Sequence, residues 1–145
     1  MATLVRKMST ITRCINLYRN EHSPEDLPGI CHGYIFAVYH NPGKTQDWLA
    51  KHMFLNKSTV ARHLAKLERA GYVTREISRE DKRELLVYPT RKLKMVYPTI
   101  RDLTQQWNTM IADTISEEEF DCFNRILDKI MEKSIEINSE KEVNE

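Results

Sequence analysis
Apolar residues fall at helical steps over most of the chain, and one stretch breaks the period. Leu4, Met8, Ile11, Ile15 and Tyr18 alternate in steps of four and three, which predicts a first helix with one apolar face. Pro24, Pro28 and Gly29 break it. A short second helix over residues 30–39 stops at His40-Asn41-Pro42-Gly43. Thr45 is placed to cap a third helix reaching His52 or Met53. Asn56 caps a fourth, which runs to Ala70 and ends at Gly71. Residues 72–78 and 83–88 are β-prone runs around the polar tip Arg79-Glu80-Asp81-Lys82, a hairpin closed by Pro89. Helical spacing resumes over residues 93–111. Ser116 with Glu119 then forms a capping box, opening a last helix that carries Phe120, Phe123, Leu127, Ile130 and Met131. Residues 138–145 read as a frayed polar end.

The third and fourth helices make a helix-turn-helix. Ala50 is small where the two must approach, and Leu49 and Met53 can face inward beside Trp48. Val60, Leu64 and Leu67 form the buried stripe of the fourth helix; Ser58, Thr59, Arg62, His63, Lys66 and Arg69 form the opposite face. Such a face suits a recognition helix. The Ser58 and Thr59 hydroxyls can reach base edges, and Arg62 can span O6 and N7 of a guanine. Lys57, Lys66 and the amides near Asn56 can meet phosphates. On spacing alone, an amphipathic surface helix with a wet basic face accounts for the pattern equally well. The hairpin shifts the balance, because Arg79, Lys82 and Arg83 lie where an arginine can enter the adjacent minor groove. Glu80, Asp81 and Glu84 can instead pair these cations locally; a mixed role has Asp81 holding an arginine in position.

The expected fold class is therefore mainly α with a small β-hairpin wing: a winged helix-turn-helix joined to a helical dimerisation region. Residues 1–29 and 94–145 are assigned to dimerisation, because their apolar stripes exceed what a compact winged domain can cover. Residues 30–93 are assigned to the winged domain, with the recognition helix over about 56–70 and the wing over about 72–89.

Charge sharpens this picture. The 145 residues hold 22 Lys+Arg and 21 Asp+Glu, a net of +1. Residues 44–94 hold 13 Lys+Arg and 6 Asp+Glu, a net of +7, whereas residues 116–145 hold 4 and 10, a net of −6. A basic middle built to meet a polyanion and an acidic end kept away from it is one explanation. The longest unbroken apolar run is the six residues from Tyr34 to Tyr39, against roughly 20 for a membrane span. No long apolar segment follows Arg6 and Lys7, so no secretory signal is expected. Cys14, Cys31 and Cys122 are odd in number and far apart, which predicts free thiols and a cytoplasmic protein.

With these residues in view, the chain resembles the MarR family of bacterial transcription regulators. The resemblance rests on Thr45-Gln46-Asp47-Trp48-Leu49-Ala50-Lys51, on Asn56-Lys57-Ser58-Thr59-Val60-Ala61-Arg62-His63-Leu64 and on Leu67-Glu68-Arg69-Ala70-Gly71-Tyr72-Val73. Its most specific part is the wing, Arg79-Glu80-Asp81-Lys82-Arg83 followed by Tyr88-Pro89-Thr90, where the family's aspartate and arginine map onto Asp81 and Arg83. Leu93 departs from the glycine common in the family at the start of the next helix. The resemblance implies a triangular homodimer with interlaced first and last helices, one winged domain on each half-site of a double-stranded operator, and most often repression.

No Gly-rich phosphate loop, Gly-x-Ser-x-Gly or His-Glu-x-x-His occurs, so neither an enzyme nor a cofactor is expected. Cys31-His32 reads as a buried thiol beside a capping imidazole; a small thiol enzyme is the alternative it leaves. Zinc-sensing relatives carry histidines in the helix after the wing, and this chain has none there, so no metal is expected. Cys14 followed one turn later by Tyr18 is similar to the peroxide-sensing branch of the family, although cysteine is also commonly a small buried hydrophobe. The commoner family mechanism is a small aromatic effector. Tyr18, Tyr34, Phe36, Tyr39 and Trp107 can contribute to its site, but core packing explains each more simply. The competing class is a winged-helix module that binds another protein, without specific DNA binding.

Overall fold
The computed structural model describes residues 2–142. Its elements run α1 (Ala2–His22), a 3-10 turn (Gly29–Cys31), α2 (His32–His40), β1 (Lys44–Thr45), α3 (Gln46–His52), α4 (Lys57–Arg69), β2 (Val73–Ile77), β3 (Leu85–Pro89), α5 (Arg91–Ala112) and α6 (Glu117–Glu142). The chain divides inside α5 into two compact units, Met1–Thr104 and Gln105–Glu145. α5 begins at Arg91 with Leu93 fully buried, so the leucine in place of glycine does not delay the helix. It also runs through Pro98, where one helical N–H is missing.

The core of the first unit forms where the helical stripes meet. Tyr34, Ile35 and Val38 of α2, Leu49 of α3, Val60, Leu64 and Leu67 of α4, Val87 of β3, and Leu93 and Ile100 of α5 are all essentially inaccessible. Burying each leucine contributes about 2 kcal/mol. One strand was not foreseen. β1 is two residues long and pairs antiparallel with β3 (Lys44↔Val87, Thr45↔Leu86), giving the sheet order β1-β3-β2. Gly43 permits that pairing: at φ +81 its amide donates to the Val87 carbonyl at 2.8 Å, and an added Cβ would press on the Tyr88 ring. Gly71, at φ +83, ends α4 as its sequence position predicts.

The turn between α3 and α4 holds an exception. Phe54 is the only non-glycine residue with positive φ among the described residues, at 54°. That conformation costs a side-chain-bearing residue about 1–2 kcal/mol. The turn is kept by backbone bonds from Phe54 N to the Lys51 carbonyl (3.3 Å) and from Leu55 N to the Ala50 carbonyl (3.0 Å).

Two polar clusters tie these elements together. Arg75 of β2 donates to Glu68 of α4 through Nε (3.3 Å) and Nη2 (3.1 Å), and to Gln46 of α3 through Nη1 (2.8 Å). Its own amide also donates to Glu68 (3.1 Å). These bonds hold the Glu68 carboxyl below its ordinary pKa. Asp26, in the loop before α2, accepts from the Tyr72 hydroxyl at 2.6 Å and from Lys92 Nζ. Lys92 also donates to the Ala70 carbonyl (2.6 Å) and lies 4.4 Å from the Tyr72 ring centroid. The clusters thus fix α4 at its C-terminal end against α3, β2 and α5.

His32 is wholly buried. Ser23 gives its one hydroxyl proton to the Arg19 carbonyl, so His32 Nε2 must donate to Ser23 Oγ, 2.7 Å away. Nδ1 is then a buried acceptor with no partner among the described residues. The imidazole caps no helix, contrary to the sequence reading. Burial, and secondarily the Arg19 charge, bring its pKa down to about 4.

In the second unit, the expected capping box is present. Ser116 N donates to Glu119 Oε2 at 2.8 Å, and Glu119 N donates to Ser116 Oγ at 3.2 Å. The frayed end expected over residues 138–145 is helical as far as Glu142; residues 143–145 lie outside the described residues. No described helix is long and apolar enough to cross a membrane.

Two outcomes follow for stability. Arg75→Ala should lower the unfolding free energy by about 2–3 kcal/mol in urea titration, because a partly buried carboxylate and the Gln46 amide lose their donor. Because the folded-state pKa of His32 lies below 6.5, the unfolded chain binds the extra proton, and stability falls as pH drops from 6.5 towards 4. The loss between pH 7 and pH 5 should be about 2 kcal/mol, and His32→Gln should flatten that slope.

Candidate nucleic-acid interface
The two capped helix starts fix the geometry. Thr45 Oγ1 accepts from Trp48 N at 3.0 Å and starts α3. Asn56 Oδ1 accepts from Thr59 N at 2.8 Å and starts α4. The Ser58 hydroxyl also donates to Asn56 Oδ1 (2.9 Å), so its remaining capacity towards an outside partner is as an acceptor. Lys57 Nζ lies 3.1 Å from Asp47 Oδ2 in an exposed pair, which water and salt screen to a weak contact.

Along α4 the structure separates the side chains that the sequence had grouped on one face. Arg62, Lys66 and Arg69 are exposed, and none makes a hydrogen bond or ion pair among the described residues. His63 turns the other way. It is half-buried, its Nδ1 lies 2.9 Å from the Tyr34 hydroxyl and its ring meets that of Tyr34 edge-on at 5.4 Å. Burial first, then Arg62 and Lys66, lower its pKa, which disfavours the charged imidazolium. Thr59 is also only half-exposed.

The wing is a built loop. Ser78, buried at the end of β2, accepts from the amides of Glu80 (3.3 Å) and Asp81 (3.4 Å), and its own amide donates to the Glu84 carbonyl (2.9 Å). Asp81 Oδ1 accepts from Arg83 N (3.0 Å) and Nε (3.1 Å), and Oδ2 accepts from Nη2 (3.1 Å). This fork holds the Asp81 carboxyl below its usual range and raises the Arg83 guanidinium above its own. The guanidinium nevertheless remains 90% exposed. Arg79 and Lys82 are exposed and unbonded among the described residues. At the base of the wing, Thr90 Oγ1 donates within reach of both the Gly71 (2.6 Å) and Tyr72 (3.0 Å) carbonyls. The sequence reading missed the Gln46–Glu68–Arg75 clamp, since its members are up to 29 residues apart.

The candidate sensing residues lie in different settings. Tyr34 is a core residue engaged with His63, with its pKa pushed up to about 12 by burial. Cys14 is exposed on α1, and the Tyr18 ring one turn later lies tilted 32° to the His22 ring at 4.2 Å. Tyr39 stacks on Tyr97 at 3.8 Å. Phe36 borders an open groove of about 360 Å³, together with Gly33, Ala37, His40, Asn41, His52 and Met53. Cys31 is buried with its thiol pKa raised, and the His32 ring is bonded to Ser23, so the two form no thiolate–imidazole pair. Among the described residues no three His, Cys, Asp or Glu gather as metal ligands.

Comparison with known proteins agrees with this geometry. Residues 25–84 match the MarR family (MarR_2). The chain is 28% identical over 137 residues to the HTH-type transcriptional regulator YybA of Bacillus subtilis (strain 168), covering 94% of this chain and 91% of that protein. The crystal structure of the transcriptional regulator SlyA superposes with a TM-score of 0.83 at 26% identity, covering 90% of this chain and 93% of that one. A MarR family regulator from Listeria monocytogenes, solved with a 26mer DNA, superposes with a TM-score of 0.78 at 22% identity, covering 89% and 87%. Capped helix-turn-helix, three-stranded sheet and matched segment agree: residues 25–84 match the MarR family, and most of the chain is similar to transcriptional regulators of that winged helix-turn-helix fold.

Proposed function
We propose that two copies of the chain bind a near-palindromic operator in the cytoplasm and repress transcription from it. In this reading α4 enters the major groove and the β2–β3 wing lies over the flanking minor groove. One observation carries it. The inner face of α4 is fully buried, while Arg62, Lys66 and Arg69 stand exposed with no bonded partner among the described residues. Cations left unpaired along one helix face suit a polyanion better than they suit a protein surface, and the Listeria relative was solved with DNA bound.

The roles divide by chemistry. Arg62 reads a guanine edge; Ser58 and Thr59 meet base edges; Lys57, Lys66 and the amides near Asn56 meet phosphates. His63 acts through its Tyr34 contact and whatever Nε2 can reach. Arg83, braced by Asp81, enters the minor groove, with Arg79 and Lys82 on the phosphates beside it. Dimerisation is assigned to residues 1–29 and 94–145. Val5, Met8 and Ile11 of α1 and Phe123, Ile126 and Met131 of α6 are exposed apolar side chains that a second copy would cover. A small aromatic effector that prefers the DNA-free form would release the operator, and the groove beside Phe36 has room for one. Oxidation of exposed Cys14 is a second input to the same release.

The test is binding of the purified protein to its own upstream promoter DNA, against a scrambled duplex, at several salt concentrations. Promoter-selective binding with a steep salt slope is expected; weak, salt-insensitive binding would instead favour a protein-interaction module. Arg62→Ala should cost about 1–3 kcal/mol and relax preference at one base pair, whereas Lys66→Ala should weaken binding on every sequence and flatten the salt slope by about one. Equal losses on all sequences for both variants would contradict this division. Peroxide should release wild-type protein but not Cys14→Ser; equal retention of both would remove the thiol input.

A further inference from the structure
Phe54 is the most exposed aromatic side chain among the described residues, at 66%. It also carries their one left-handed backbone outside glycine. The core takes nothing from this ring. The turn is held by main-chain bonds to the Lys51 and Ala50 carbonyls, and Phe54 is absent from the core and from the side chains packed on it. A glycine would adopt the same φ without strain. A residue that is strained where glycine is free, and whose ring is mostly exposed, points to a contact outside the fold. Phe54 also lies on none of α1, α5 and α6, whose exposed apolar residues the dimer reading uses.

Its position limits the partner. Phe54 is two residues ahead of the Asn56 cap and three ahead of Lys57, at the leading edge of the helix assigned above to the major groove. A phenyl ring offers phosphates no donor. The apolar feature exposed in that groove is the thymine C5 methyl, and phenylalanine is among the side chains that contact it. We propose that Phe54 is a specificity residue that packs on a thymine methyl at the edge of each half-site. Leu55, exposed beside it, widens the same apolar pad. This inference rests on the DNA-binding reading of α4.

The test uses full-length wild-type protein and Phe54→Gly, a change that relieves the left-handed strain, with thermal unfolding as a check that the variant is folded. Each protein selects duplexes from a random pool. Each thymine of the selected half-site is then replaced singly by deoxyuridine, which removes only the methyl. For wild-type protein, one position should lose about fourfold in affinity on loss of its methyl. Phe54→Gly should bind the thymine duplex about tenfold more weakly and bind the thymine and deoxyuridine duplexes equally. The proposal is overturned if wild-type protein is indifferent at every thymine, or if Phe54→Gly retains the full methyl preference. It is also overturned if the variant loses affinity equally on selected and random duplexes, which would make Phe54 a non-specific contact. A wild-type protein that selects no sequence at all would refute the DNA-binding reading, and this inference with it.

Discussion
What α4 presents outward depends on how completely its inward face is held. Val60, Leu64 and Leu67 are fully buried in the core at steps of four and three, so the helix cannot rotate without exposing them. Asn56 fixes where the helix starts, and Gly71 fixes where it stops. The Arg75 guanidinium, bonded to Glu68 and Gln46, then locks it to β2 and α3. Each constraint acts on the inner or terminal parts of the helix. Arg62, Lys66 and Arg69 are left over because no side chain among the described residues bonds them.

The same economy governs the wing. Ser78 and the Asp81 fork order the tip without covering Arg83, so a charged group is held in one orientation while remaining in water. An exposed ion pair adds little stability. Its consequence is geometric: a guanidinium held in place loses less freedom when it meets a groove. The net charge of +1 conceals this arrangement, since the basic residues concentrate in residues 44–94 and the acidic ones in residues 116–145. The relatives that the chain resembles are transcriptional regulators, and the chemistry visible in this fold is that of placing charge.

Local features were legible in the sequence and distant ones were not. Thr45, Asn56 and the Ser116–Glu119 box announce helix starts because a cap involves residues three apart, and the structure has all of them. The hairpin was equally readable from two β-prone runs around a polar tip. β1 was invisible, because two residues make no pattern and its partner Val87 lies far along the chain. The Arg75 clamp and the Tyr34–His63 contact join residues up to 29 apart, which spacing cannot reveal. A helix turns about 100° per residue, so His63 beside Arg62 can face the core while its neighbour faces water. Phe54 gave no signal because phenylalanine does not advertise a left-handed turn, and the frayed end expected from a polar composition is helical to Glu142.

The account stands or falls on whether two α4 helices, related by a two-fold axis, lie in successive major grooves. A hydroxyl-radical footprint of the protein on both strands of a selected duplex addresses this directly. The account predicts two protected segments centred about one helical turn (roughly 10 bp) apart, mirrored across a dyad, with outer minor-groove protection that disappears in Arg83→Ala. A single unpaired segment, or protection spread evenly along the duplex, would contradict it.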